Sequence, residues 1–238
     1  MALLRQTMDT KLLQFRDALA RADTRAVTEM IEQDRSLLDS RLPGNVTPLM
    51  YALLLSRGGF GEFSELSEYL KRIGAKIDIV TAVLMGDTGA VRNFLADQPW
   101  LVKKRSPWGG YSLLHIGASY GDTAMVKLLL DYGIDPNDAK QPDRMSPLFF
   151  SYKFPYQNAE LLLSCGADIN RRAKHGQTVL HQSMMRDDPG WIEFLLQHGA
   201  DPNLQTKTRE SPWMFAVRWK RLQAAALLEK FITNRTTF

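Results

Sequence analysis

Leu128-Leu-Leu-Asp-Tyr-Gly-Ile-Asp-Pro-Asn137 decides the fold, because the chain contains this stretch three times. It recurs as Leu161-Leu-Leu-Ser-Cys-Gly-Ala-Asp-Ile-Asn170 and as Phe194-Leu-Leu-Gln-His-Gly-Ala-Asp-Pro-Asn203, which places the glycines Gly133, Gly166 and Gly199 33 residues apart. A leucine run that ends at glycine predicts a helix closed by a left-handed residue. The Asp-x-Asn that follows predicts a turn in which the aspartate bonds its own backbone. A fixed period of this length indicates a repeat architecture.

A second motif opens each repeat. It reads Ser112-Leu-Leu-His115, Ser146-Pro-Leu-Phe149, Thr178-Val-Leu-His181 and Ser211-Pro-Trp-Met214, with Thr47-Pro-Leu-Met50 further upstream. A hydroxyl residue before proline is typical of a helix start, because the hydroxyl can cap a free amide and proline suits the first turn. Thr47, Ser146 and Ser211 are therefore predicted to begin helices. One helix pair cannot bury the apolar face of its second helix, so neighbouring pairs are predicted to stack.

Two motifs with one shared period resemble the ankyrin repeat family, whose signature is a Thr-Pro-Leu-His turn, a helix pair and a Leu-Leu-Leu-x-x-Gly-Ala-Asp-x-Asn close. The resemblance implies an all-α repeat solenoid of about seven helix-turn-helix units with short β-hairpin fingers. Its register reveals two weaker repeats, because Gly86–Val91 and Ala22–Val27 align with Gly121–Val126. We expect one domain, residues 1–238, with repeats at about 12–43, 44–76, 77–109, 110–143, 144–175 and 176–208 and a C-terminal cap at 209–238.

Three places depart from the family pattern. The second repeat carries an insertion, Ser56–Phe63, between its helices, and its end passes through Asp78 into the next helix without room for a finger. In the fifth repeat Phe154-Pro155 replaces the usual small-residue turn, and the sixth has Asp187–Gly190 at the same position. Helix boundaries are expected to shift there.

The composition indicates the cellular compartment and shows where charge is concentrated along the chain. A single cysteine, Cys165, excludes an internal disulfide framework and favours a reducing compartment, and the first thirty residues contain no apolar signal segment. We expect a cytoplasmic protein that does not enter a membrane. Residues 205–238 carry seven basic and two acidic side chains. This basic end would steer an acidic partner, or would simply solvate a terminal helix.

The residues that could serve in catalysis or metal binding are better interpreted as structural. His115 and His181 occupy the last position of the opening motif, where the family resemblance implies hydrogen bonds within and between repeats. His175 and His198 form no zinc-ligand arrangement, and the glycine pairs lack a phosphate-binding pattern. Cys165 precedes a helix-ending glycine, where the helix dipole disfavours a thiolate, so a buried or inert thiol is expected. We expect no cofactor, no metal and no catalysis.

The family resemblance implies that a partner binds the concave face, which is made of the fingers and the ends of the first helices. By register, the helix-end positions are Leu84, Met85, Ser119, Tyr120, Lys153, Phe154, Met185, Arg186, Arg218 and Trp219. The finger positions are Trp108, Tyr111, Met145, Lys174, His175, Gln177, Lys207 and Glu210. Twelve of these positions are the candidate partner-binding residues: Trp108, Tyr111, Tyr120, Met145, Lys153, Phe154, His175, Gln177, Met185, Arg186, Arg218 and Trp219. Aromatic, Met and Arg side chains are enriched at binding hot spots, although single large residues also occur on ordinary surfaces. Trp100 and Trp213 are predicted to lie in the core.

These observations favour a non-catalytic protein-interaction module that binds a specific protein partner, for example an inhibitor, adaptor or immunity-type binder, and that is itself monomeric. A bacterial effector that binds a host protein is an alternative. A second alternative is nucleic-acid binding, because Arg218, Trp219, Lys220 and Arg221 interleave an aromatic ring with charges.

Overall fold

The computed structural model describes residues 2–57, 62–153, 155–186 and 188–235, and all the regular structure in these ranges is helical. The α-helices found there are α1 (Ala2–Ala20), α2 (Thr24–Gln33), α3 (Pro48–Arg57), α4 (Glu62–Arg72), α5 (Ile79–Met85), α6 (Thr88–Asp97), α7 (Leu113–Tyr120), α8 (Thr123–Asp131), α9 (Gln157–Ser164), α10 (Val179–Arg186), α11 (Pro189–Gln197), α12 (Pro212–Arg218) and α13 (Leu222–Arg235). Three 3-10 helices span Arg35–Asp39, Pro99–Lys103 and Pro147–Phe150. The predicted all-α repeat fold is confirmed.

The chain divides into two compact units, Met1–Trp108 and Gly109–Phe238, which we call the N-terminal unit and the C-terminal unit. In the N-terminal unit α1 packs on α2, α3 on α4 and α5 on α6. In the C-terminal unit α7 pairs with α8, α10 with α11 and α12 with α13, while α9 pairs with the 3-10 helix Pro147–Phe150. First helices also contact the first helices of neighbouring repeats, for example α10 with α12. Leucines such as Leu66 and Leu129, both 0% exposed, fill the cores of the two units.

Side-chain caps explain most helix starts. The amide of Met50 donates to the Thr47 hydroxyl at 3.2 Å and that of Met214 to the Ser211 hydroxyl at 3.3 Å, as predicted. Ser146 precedes a helix, but its hydroxyl makes no capping bond. The reason is that the Phe149 amide already donates to the backbone carbonyl of Ser146, at 3.0 Å, in the tighter 3-10 turn.

The helix ends follow the predicted chemistry. Gly133, Gly166 and Gly199 have φ angles of 78°, 88° and 93°, the left-handed conformation that closes a helix. The amide of the repeated asparagine then donates to the preceding aspartate, as in Asn170 to Asp168 at 2.9 Å. The aspartates of this motif therefore have the structural role that their spacing indicated.

The fingers are turns rather than regular strands. Expected as short β-hairpins, they are closed by single backbone contacts such as Ala173 N–H to the Gln177 carbonyl at 2.8 Å. In the part of the chain that the structure describes, the one β-bridge is isolated and joins Leu42 to Val46. One closing bond per finger is too few for the ladder that defines a strand.

Three side chains differ from their predicted burial. Trp100, expected in the core, is 62% exposed, because the 3-10 helix Pro99–Lys103 buries Leu101 instead. Cys165 is exposed, since it lies at the C-cap of α9, beyond the last buried turn. Trp213 is half-buried and its indole N–H donates to the Glu229 carboxylate at 2.8 Å.

The structure describes the irregular junctions between repeats only in part. Residues 58–61 of the insertion lie outside the described residues, and so do Phe154 and Asp187. The expected absence of a finger before α5 is confirmed, because Asp78 caps this helix directly by accepting from the Thr81 amide at 2.8 Å.

Candidate interaction surface

The fingers of the C-terminal unit are joined to one another by backbone hydrogen bonds. The Lys174 amide donates to the Asp143 carbonyl at 2.9 Å, and the Lys207 amide donates to the His175 carbonyl at 3.0 Å. The third finger is closed by the Thr206 amide, which donates to the Glu210 carbonyl at 2.9 Å. Three successive fingers are thus fixed relative to one another, and His175, Lys174 and Lys207 remain exposed on them.

Two buried histidines anchor the fingers to the first helices. Nδ1 of His181 accepts from the Thr178 amide at 3.1 Å, and its Nε2 lies 3.1 Å from the Glu210 carbonyl of the next finger. In the same way, Nδ1 of His115 accepts from the Ser112 amide at 3.3 Å, and its Nε2 lies 2.9 Å from the Met145 carbonyl. Burial lowers the pKa of His181, which keeps the ring neutral, so that Nδ1 can accept from the Thr178 amide while Nε2–H donates to the Glu210 carbonyl. The predicted structural role of both histidines is confirmed.

Cation–aromatic pairs connect the helix ends of neighbouring repeats. Lys153 Nζ lies 5.8 Å from the centre of the Tyr120 ring, and Arg186 Cζ lies 3.3 Å above the Tyr152 ring. Such contacts contribute about 0.5 to 1 kcal/mol when exposed. Within the last repeat, Arg218 Cζ lies 4.7 Å from the centre of the Phe215 ring and 5.8 Å from that of the Trp219 ring, while Nη1 of Arg218 contacts Glu210 Oε1 at 2.5 Å. Each pair combines a flat apolar ring with a positive charge.

Two contributors were missed by the sequence reasoning. Tyr152 stacks under Arg186, and the Arg221 guanidinium donates to the Met185 carbonyl at 3.3 Å across one repeat. A signal for the first was present in the sequence, because aromatic and basic residues recur about one repeat apart, at Tyr120 and Lys153 and again at Tyr152 and Arg186. The second could not be read from spacing, since Arg221 lies in the turn after α12.

The candidate residues differ in exposure. Six are exposed: Lys153, His175, Met185, Arg186, Arg218 and Trp219. Five are half-buried: Trp108, Tyr111, Tyr120, Met145 and Gln177. Phe154 lies outside the described residues. Trp108, Met85 and Leu84 belong to the N-terminal unit. Met85 is half-buried there, and Leu84 is fully buried at 0% exposure.

Tyr111 is engaged inside the C-terminal unit. Its hydroxyl donates to the Asp143 carboxylate at 2.8 Å, and its ring meets the Phe150 ring edge-on at 5.4 Å. Burial, with the neighbouring Asp143 charge, raises the pKa of Tyr111 to about 12. The phenol therefore stays protonated and holds the 138–145 finger in place.

We define the finger-and-turn surface as the exposed or half-buried residues of the C-terminal unit that lie on these fingers and helix ends. They are Tyr120, Met145, Tyr152, Lys153, Lys174, His175, Gln177, Met185, Arg186, Lys207, Arg218 and Trp219.

Charge is segregated within the C-terminal unit. The finger and first-helix segments, 138–156, 171–187 and 204–221, hold twelve Lys or Arg and four Asp or Glu. Three of the four second-helix segments with their closing turns, 122–137, 157–170 and 188–203, hold one basic and eight acidic residues, and the last second helix, α13, holds two basic and one acidic. Two of the four acids on the basic side, Asp143 and Glu210, are already bonded to Tyr111 and Arg218. The fingers and first helices therefore carry a net positive potential.

Neither a group of metal ligands nor a membrane-spanning helix is found in the described residues. In residues 2–57, 62–153, 155–186 and 188–235, no three His, Cys, Asp or Glu side chains are grouped to hold a metal ion. None of the helices described in those ranges combines the length and hydropathy needed to cross a bilayer.

Stacked helix pairs joined by linked turns define a helical repeat protein. The family described as ankyrin repeats (three copies) matches residues 74–173 and 151–236, and the chain belongs to this family. Ankyrin repeats generally mediate protein–protein interactions, and the family is generally non-catalytic.

The curated relatives share the repeats and not a common role. The chain is 33% identical over 109 residues to a putative ankyrin repeat protein, FPV031, of fowlpox virus, which covers 44% of this chain and 32% of the relative. It is 34% identical over 105 residues to human ankyrin repeat and SOCS box protein 6, covering 41% of this chain and 25% of the relative. It is 26% identical over 216 residues to human neurogenic locus notch homolog protein 2, covering 75% of this chain and 8% of the relative. The chain thus spans a third or less of the length of each.

Proposed function

We propose that this protein is a non-catalytic binding module whose C-terminal unit captures an acidic segment of a specific protein partner on the finger-and-turn surface. The observation that carries the proposal is the series of cation–aromatic pairs on neighbouring repeats, within the basic half of a charge-segregated unit. An inhibitor, adaptor or immunity-type role in the cytoplasm, as a monomer, fits such a module. The partner's identity would decide between these roles and an effector that acts on a host protein.

The stacked arginine is suited to a carboxylate. With its plane against the Tyr152 ring, the Arg186 guanidinium presents its N–H donors at the edge, where they can fork to two carboxylate oxygens. Its orientation is set before binding, so less side-chain entropy is lost than with a mobile lysine. Met185, 46% exposed, and Trp219, 48% exposed, supply apolar area beside the charges.

The test is affinity capture from source lysate, read by mass spectrometry, with three baits. The first is wild type and the second is the Arg186→Glu, Trp219→Ala double variant. The third is a matched charge reversal on the second helices, Glu160→Lys with Glu193→Lys, both at exposed positions. A protein captured by the first and third baits and lost from the second supports the proposal. Equal capture by all three would place the binding surface elsewhere.

Single substitutions separate binding from folding. Tyr120→Ala and Arg186→Ala are expected to weaken the captured complex while leaving the melting temperature nearly unchanged, because each side chain is at least partly exposed. Phe154→Ala was selected by the same sequence reasoning and is assayed with them. If the surface changes unfold the protein, these residues support the core instead of a partner.

Nucleic acid is the second candidate, favoured by Trp219 exposed beside Arg218 and Lys220. In such an arrangement the aromatic ring can stack on a nucleobase, and the basic side chains on either side can neutralise the phosphates of a single strand. A gel shift with single-stranded DNA and RNA that weakens steeply with salt would support this candidate. Absence of a shift at low salt would remove it and leave the acidic protein.

A further inference from the structure

The first helices of the C-terminal unit share one position that is buried in every repeat before α12. This position holds His115, Phe149 and His181, which are 2%, 3% and 0% exposed. The His181 ring meets the Phe215 ring of α12 edge-on at 5.3 Å. In α12 the same position is Met214, and it is 46% exposed. A side chain that is closed over in the earlier repeats is therefore open to solvent in the last one.

A second position, one helical turn later, behaves in the same way. It holds Ala118 and Met184, which are 1% and 0% exposed, and half-buried Tyr152. In α12 it holds Val217, which is 46% exposed. Residues three apart lie on the same face of a helix. Met214 and Val217 thus form one apolar face of α12, which we call the α12 end face. These two residues occupy the same positions in α12 as His181 and Met184 do in α10, which packs against α12.

The interface between α10 and α12 indicates which shape fits such a face. There the covering element is α12 itself, a short helix that buries Pro212, Phe215 and Ala216. Its apolar side chains follow the i, i+3, i+4 pattern of a helix laid into a groove. A helix with the same stripe is the element that this surface geometry accommodates.

The surrounding charge decides what kind of helix. Lys207, Arg209 and Lys220 are exposed on the finger and turn that flank α12, whereas Glu210 is already paired with Arg218. A second copy of this chain docked on the same face would place its own Lys207, Arg209 and Lys220 against these residues, and the like charges would repel. An acidic helix would be attracted.

We infer that the α12 end face docks an acidic amphipathic helix of a partner protein. The apolar residues of this site, Met214 and Val217, are not part of the finger-and-turn surface, and the two surfaces share only the flanking Lys207. It extends the proposed function from one binding surface to two, and it can fail without affecting the first.

The probe is a fluorescein-labelled, stapled synthetic helix of about 18 residues, long enough to be helical once stapled. It carries Leu along one stripe at i, i+3, i+4 and i+7, with Glu on both flanks. Binding to the full chain is measured by fluorescence anisotropy. Met214→Lys with Val217→Lys is expected to weaken binding about tenfold or more, because both contacts at the centre of the face are lost.

The matched control is Leu13→Lys, since Leu13 is also an apolar residue that is 47% exposed but lies on α1, outside both proposed surfaces. This variant is expected to bind the probe like wild type, and a peptide with Lys in place of Glu is expected not to bind. Should the double lysine variant lose its helical circular dichroism, Met214→Gln with Val217→Thr replaces it.

Three results with the peptides would overturn the inference. They are no binding of the acidic helix to wild type, equal binding by wild type and the Met214, Val217 variants, or equal binding of the basic peptide. A dimer of the wild-type chain in sedimentation, absent from the double variant, would assign the face to a second copy and would also overturn it.

Discussion

The two units join their repeats with different polar groups. In the C-terminal unit the repeated asparagine bridges neighbours: the Asn137 side chain donates to the Gly166 carbonyl at 2.8 Å and accepts from the Asp168 amide at 2.7 Å. Asn170 repeats both bonds one repeat later. In the N-terminal unit the Lys76 amide donates to Asp39 at 2.8 Å, and the Arg35 guanidinium contacts the Ile73 carbonyl.

The difference explains why equivalent side chains line up in one unit and not in the other. In the N-terminal unit 3-10 helices end two of the repeats and no finger precedes α5, so exposed groups there do not fall at equivalent positions. In the C-terminal unit the asparagine bridges and the linked fingers keep each repeat in the same register. Cations and rings one repeat apart then meet, as Lys153 and Tyr120 do. The regular hydrogen bonds between repeats of the C-terminal unit therefore align its cation–aromatic pairs in a row.

Removing packing from the regular unit should give the largest effect. Leu129→Ala is expected to lower the free energy of unfolding by about 2 to 5 kcal/mol, because the side chain is fully buried between α7 and α8. Urea unfolding of the variant beside wild type measures the loss. Leu13→Ala in the N-terminal unit, where Leu13 is 47% exposed, is the control and should change little. Equal losses would mean that Leu129 is not a core residue.

Breaking one asparagine bridge should have the next largest effect. Asn170→Ala removes the bonds to the Gly199 carbonyl and the Asp201 amide and is expected to cost about 1 to 3 kcal/mol. Asn203→Ala, at the equivalent exposed position of the following repeat, should cost less. Similar values from urea unfolding of the two variants would show that the bridge contributes nothing beyond the local turn.

Mild acid should distinguish the units through histidine, because all four histidines lie in the C-terminal unit. Burial lowers the folded-state pKa of His181 below its unfolded value of about 6.5, so the unfolded chain binds the proton more readily. The contribution of His181 is fully present above that unfolded value and is lost as the pH falls below it. Unfolding midpoints of wild type between neutral pH and pH of about 5 should fall more than those of His181→Gln. Parallel curves would contradict this account.

Strong acid should give the smallest effect, in the N-terminal unit. Hydrogen bonds from Ser36 and then Lys11 lower the pKa of Asp34 to about 2. The stability that this carboxylate contributes is present above its ordinary pKa and is lost as the pH falls through about 2. Ser36→Ala is expected to raise the Asp34 pKa toward the ordinary value, as read from its carboxyl carbon shift in an NMR titration. An unchanged titration would show that Ser36 does not hold this charge.

The fold was largely predictable because local chemistry repeats. The closing glycines, the aspartate turns and the histidine anchors each depend on residues within one motif and its neighbour. Burial at irregular ends was not predictable in this way. Trp100 was expected in the core and is exposed, because the 3-10 turn after α6 rotates Leu101 inward instead. Cys165 likewise lies just beyond the last buried turn of α9.

The candidate surface was predictable in composition and not in contacts. The exposed Lys153, Met185 and Trp219 followed from register alone. Stacking of Arg186 on Tyr152 required the three-dimensional offset between neighbouring helix ends. The capping failure at Ser146 had the same origin, since the 3-10 geometry there depends on how the short helix packs and not on its first residue.

The single cysteine allows a direct test of where the partner binds. A thiol-linked benzophenone is placed on the native Cys165, which is exposed at the end of a second helix, or on His175→Cys in a Cys165→Ala background, which lies on a finger. Both proteins are irradiated in source lysate. The account predicts that one protein partner is crosslinked from position 175 and not from position 165. Crosslinking from position 165 alone would contradict binding on the finger-and-turn surface.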